Sequence, residues 1–133
     1  GWVPSHYAGL ACMDFPTCDG EQVVPTLEGP VGMHVLHRLN AFLLLFVYGG
    51  LAILTRPGSR LSKLARLGLT LVILQIVVGV ANVLLLLPIA VTALHSALAA
   101  AIVLVTAMLA REVMGARGGA VPISPKARMV EAR

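Results

Sequence analysis

Residues 33–55 read MHVLHRLNAFLLLFVYGGLAILT, and after Arg38 not one of them is charged. At about 1.5 Å of rise per residue, roughly 20 helical residues cross the ~30 Å hydrocarbon core of a bilayer, so this stretch is long enough to span one. Two further runs share its character. Residues 67–87 are uncharged, with Gln75 and Asn82 as their strongest polar interruptions, and residues 89–110 follow directly after Pro88. None of the three alternates with period 2. Backbone groups in lipid must be satisfied within their own segment, so the pattern predicts three transmembrane α-helices and not barrel strands. All three runs are internal and full length, unlike a cleaved signal peptide.

Composition agrees with this reading. Hydrophobic residues make up 58% of the chain and charged residues 12%, with a mean hydropathy of +0.90. A soluble domain carries about a quarter charged residues, too many for this chain to match. The charges are also sorted. Asp14, Asp19, Glu21 and Glu28 lie in residues 1–32, which hold no Lys or Arg, while all 10 basic residues lie from Arg38 onward. Arg56, Arg60, Lys63 and Arg66 fill the connection between the first two spans; Arg111, Arg117, Lys126, Arg128 and Arg133 follow the third. Basic loops stay cytoplasmic, which predicts an extracytoplasmic loop over 1–32, a bundle over 33–111 and a cytoplasmic tail over 112–133. The tail from Gly115 is rich in Gly, Pro and Arg and is predicted to be loosely ordered. No basic face with aromatic partners exists to bind nucleic acid. The spans hold no Ser/His/Asp arrangement, phosphate-binding glycine loop or paired carboxylate, which disfavours hydrolase and nucleotide chemistry.

Histidines inside membrane spans are costly and usually functional. His37 lies five residues past Gly32, and His95 lies seven residues past Pro88. Both therefore sit roughly 8–10 Å below the same end of the bundle. Two histidines at one depth on different helices are the arrangement that ligates a heme iron from both faces. The bland alternative is that each histidine bonds a carbonyl of a neighbouring helix. His34 stands one turn above His37 on the same face, nearer the interface, where that alternative weighs more. Arg38 is placed to snorkel outward and to meet a heme propionate. Gln75 and Asn82 are predicted to act as interhelical hydrogen-bonding groups, with Gln75 a secondary site candidate. Gly49, Gly50, Gly68 and Gly79 are predicted helix-packing positions. Cys12 and Cys18, in the loop assigned to the outside, favour a disulfide over free thiols or a metal site.

The stretch Gly9-Leu10-Ala11-Cys12-Met13-Asp14-Phe15-Pro16-Thr17-Cys18 resembles the Cys-pair loop of the heme A synthases. The His37-Arg38 pair at a helix start, Gln75 with Gly79, and His95-Ser96-Ala97 after a Pro-containing turn fall in that family's order and spacing. The resemblance covers about residues 7–112 and corresponds to one of the family's two similar four-helix halves, without its leading helix.

What the resemblance implies is axial ligation of a b-type heme by His37 and His95, and a disulfide between Cys12 and Cys18. In the family, one half holds the heme o substrate, whose methyl group is oxidised to a formyl, and the other holds a b-type heme. The substrate half carries a glutamate three residues before its ligand histidine. Here that position is His34, which implies the cofactor half and no catalytic residue in this chain. Because the chain begins in the loop, a fourth helix is expected from an N-terminal half or from another membrane subunit. The leading expectation is thus a heme-binding membrane module of a heme A synthase. The alternative is a non-catalytic heme-carrying or structural subunit of a larger respiratory or photosynthetic complex. A quinol-oxidising cytochrome b would need a second redox centre or a quinone pocket, for which the residues offer no support.

Overall fold

A computed structural model of the chain describes residues 10–118. Three helices follow the loop: α1 (Gly29–Leu54), α2 (Arg60–Leu84) and α3 (Ile89–Gly118). Each is long and apolar enough to cross a membrane, and the described residues contain no strand. Large apolar side chains such as Phe46, Ile53, Leu54 and Val103 are exposed on the outer faces. That surface suits lipid as a solvent, so the chain is an integral membrane protein.

Local chemistry sets the helix ends. Pro30 occupies the first turn of α1, where a missing N–H costs nothing. Gly32 is required there, because a Cβ would collide with the backbone of Leu27 as the chain folds back over the helix start. Pro57 and Gly58, the latter at φ +83°, turn the chain after α1. Ser59 then caps α2, its Oγ accepting the Ser62 N–H at 3.1 Å. Between α2 and α3, Leu86 and Leu87 both adopt left-handed backbone angles, φ 57° and 60°. Asn82 holds this turn from both sides. Its carbonyl accepts the Leu87 N–H at 2.8 Å, and its Oδ1 accepts the Thr92 hydroxyl at 3.1 Å.

The predicted first span begins four residues early, at Gly29, because Gly29 and Pro30 start the helix inside the loop. The third helix continues through Gly118, so the boundary expected after residue 111 falls inside α3. The tail beyond it, with Lys126, Arg128 and Arg133, lies outside the described residues, as do residues 1–9.

α2 lies between its neighbours. It packs against both α1 and α3, while no Cα of α1 comes within 8 Å of a Cα of α3. The two outer helices meet only through side chains. At the end carrying Arg56–Arg66, called here the basic end, Tyr48, Leu64, Val72, Ile102, Val105 and Leu109 form the apolar core. Tyr48 is central to it. Its ring occupies the space that a Cβ at Gly68 would need, and its hydroxyl meets Thr106 Oγ1 at 2.7 Å. Since Thr106 already donates to the Ile102 carbonyl, the tyrosine is the donor. One side chain of α1 thereby touches both other helices.

Candidate functional site

At the opposite end, the Cys12–Cys18 disulfide closes the loop. Both cysteines are buried against Val35 of α1, with Val31 alongside. Asp19 shapes the loop's second turn by accepting the N–H groups of Glu21 and Gln22 at 3.1 and 2.8 Å. These bonds from Gln22 and Glu21 hold its carboxyl below the usual carboxylate range.

Three residues of the His-Val-Leu-His-Arg stretch serve this loop. His34 is buried, and its Nδ1 accepts the Cys12 N–H at 3.3 Å. Val35 supports the disulfide. Arg38 donates to four loop carbonyls: to Asp14 at 2.6 Å, Thr17 at 2.9 Å, Pro16 at 3.3 Å and Cys12 at 3.5 Å. Its guanidinium also stands 5.6 Å from the centre of the Phe15 ring. Arg38, expected at a propionate, thus has its terminal N–H groups committed to the loop.

His37 turns the other way. Positions 34, 35 and 38 share the loop face of α1, and the 3.6-residue period carries 37 away from it. Its ring centre lies 6.2 Å from that of His95 on α3, the planes tilted by 59°. Sequence depth matching and three-dimensional placement therefore join the same two residues. Gly79 of α2 makes room beside them: a Cβ there would stand 3.1 Å from His95 Cε1 and 3.6 Å from its Nδ1. His95 Nδ1 and Gln75 Oε1 are buried and have no hydrogen-bonding partner among the described residues.

The expected small-residue roles divide. Gly68 and Gly79 are positions of close approach, to Tyr48 and His95, whereas Gly49 and Gly50 have open space around them. Asn82 does bond across to α3, but Gln75 Oε1 does not. The Tyr48–Gly68–Thr106 contact was not foreseen; the one hint in the sequence is a lone tyrosine in a span, whose hydroxyl needs an acceptor.

The donor set suits a metal that brings most of its own ligands. Among the described residues no group of three or more His, Cys, Asp or Glu side chains converges, so a bare ion has no cage. Heme iron needs only two axial side chains. Two imidazoles bonded to one metal from opposite sides, at about 2 Å each, have ring centres about 6 Å apart. The His37–His95 spacing fits that requirement, and the unpartnered His95 nitrogen marks a ring positioned for a further interaction.

Comparison with known proteins gives the same direction. Residues 1–108 match the family model COX15-CtaA, described as cytochrome oxidase assembly protein. The Heme A synthase of Shewanella oneidensis is 29% identical over 126 residues, covering 78% of this chain and 38% of that protein. The Heme A synthase of Halalkalibacterium halodurans is 50% identical over 46 residues, covering 35% of this chain and 15% of that protein. The chain thus spans well under half the length of these curated relatives. No solved structure matches it. With a family match over most of its length, three apolar helices and the disulfide loop in place, the chain belongs to the COX15-CtaA family of cytochrome oxidase assembly proteins.

Proposed function

We propose that this segment is the b-type heme-binding module of a heme A synthase, with His37 and His95 as the two axial ligands. The 6.2 Å separation of their ring centres carries the reading. Bound there, the heme would supply one-electron chemistry between two histidine ligands. The protein's own part is to hold the two rings at one depth, to keep the site within an apolar bundle and to fix α1 through the disulfide loop. Oxidation of a heme o substrate belongs to another part of the protein, since the described spans hold no carboxylate between Arg38 and Arg111. The Cys-pair loop faces the extracytoplasmic side and the basic loop the cytoplasm, following the charge distribution. A further helix from the rest of the protein or from another subunit closes the open side of α1 and α3.

The test is heme content and heme A production together. Full-length protein carrying His95→Ala should lose the b-type heme and fail to restore heme A in cells lacking the synthase. Intact b-type heme in that variant contradicts the ligand assignment. Heme A restored despite loss of this heme makes the heme dispensable for the reaction, whereas an unaltered protein that binds heme and restores no heme A favours the non-catalytic heme carrier.

A further inference from the structure

Two buried polar atoms on facing helices lack partners, and their chemistry is complementary. Gln75 Oε1 on α2 is an acceptor, and His95 Nδ1 on α3 is the nitrogen that carries the proton when the other ring nitrogen binds a metal. The orientation of the ring singles out which nitrogen is which. Cε1 and Nδ1 are the atoms turned toward α2, 3.1 and 3.6 Å from a Cβ at Gly79, and Nε2 lies beyond 4 Å from that point. Gln75 stands one turn from Gly79 on the same helical face. Of the other polar groups on these helices, Asn82 Oδ1 accepts the Thr92 hydroxyl and the Ser96 hydroxyl donates to the Thr92 carbonyl.

We infer that Gln75 is a positioning residue for His95: with heme bound, its side-chain oxygen takes up the Nδ1–H, a bond not made in this structure, and holds the tautomer that presents Nε2 to iron. The inference rests on the heme-binding reading above and deepens it. An N–H left unpaired in a low-dielectric site is costly, so a ligand histidine in a membrane needs such an acceptor. Partners of this kind fix ring orientation and raise the basicity of the ligand, and their loss typically costs about 10–100-fold in metal affinity.

The experiment compares Gln75→Met, close in shape but without the acceptor, and Gln75→Glu, which keeps one, in heme-loaded full-length protein. His95→Ala serves as the reference. Heme dissociation should be about 10–100-fold more favourable in Gln75→Met and its midpoint potential higher, because the remaining imidazole is a weaker donor. Gln75→Glu should retain heme and show a potential equal to or below the unaltered protein. If Gln75→Met fails to accumulate, Gln75→Asn withdraws the amide by one methylene and gives the same comparison. Loss of heme in His95→Ala with unchanged potential and retention in Gln75→Met overturns the role of Gln75 alone. Heme retained in His95→Ala overturns both readings.

Discussion

At the basic end, Tyr48 of α1, Gly68 of α2 and Thr106 of α3 meet in a contact whose every polar atom is matched. At the disulfide end, His37 and His95 face each other across the bundle while Gln75 Oε1 and His95 Nδ1 go without partners. Both ends join α1 to α3 through side chains alone, because their backbones stay apart. The difference is in completeness. A satisfied interhelical contact stabilises the fold by itself, whereas unmatched buried polar groups are costly. One end holds the helices together, and the other is where the proposed heme would sit.

Substitutions in the Tyr48–Gly68–Thr106 contact should therefore damage the packing of the helices, and those at the His37–His95 pair should not. Gly68→Val is expected to have the largest effect. Its side chain would displace the Tyr48 ring from a packed core, at a cost of about 3 kcal/mol, read as loss of the folded protein in detergent thermal unfolding. An unchanged midpoint would mean that Tyr48 is not the keystone of that end. Arg38→Gln should come next, because four loop carbonyls lose a charged donor. Loop docking should weaken by about 2 kcal/mol, seen as a roughly 30-fold faster reduction of the Cys12–Cys18 disulfide by external thiol. An unaltered rate would show that the loop is held by the buried disulfide, Val35 and His34 without Arg38. Tyr48→Phe deletes one interhelical hydrogen bond and keeps the ring, so it should cost only about 0.6–1 kcal/mol. A larger loss would shift the weight of this contact from packing to hydrogen bonding.

The smallest effect concerns Asp19. Its carboxyl is held below the ordinary value of 3.8, so the stabilisation of its turn is present above that pH and is lost as pH falls through the lower folded value. Amide signals of Glu21 and Gln22 should keep their native positions at pH 4 and move only under stronger acid. Movement that tracks the ordinary aspartate range would remove this turn from the account.

The spans, the disulfide and the pairing of His37 with His95 were legible because each rests on a one-dimensional quantity: run length, loop assignment, or depth counted from a helix end. The role of Arg38 was not legible. An arginine near an interface suits a propionate equally well, and only the folded loop shows four carbonyls converging on its guanidinium. His34 looked like a partner of His37 because three residues separate them. Helical geometry also places it beside Val35 and Arg38, and the loop's path decides that its Nδ1 receives the Cys12 N–H. The third helix outran its predicted end because no proline or capping signal stops it between Arg111 and Gly115. Gly49 and Gly50 have no neighbour close by among the described residues.

The three histidines offer the most direct test of a heme held between α1 and α3. In heme-loaded full-length protein, electron paramagnetic resonance should show a low-spin centre with two imidazole ligands. His37→Ala and His95→Ala should each abolish that centre, while His34→Ala should preserve it and loosen only the disulfide loop. A low-spin centre that survives His37→Ala, or one that disappears in His34→Ala and persists in His95→Ala, would contradict the account.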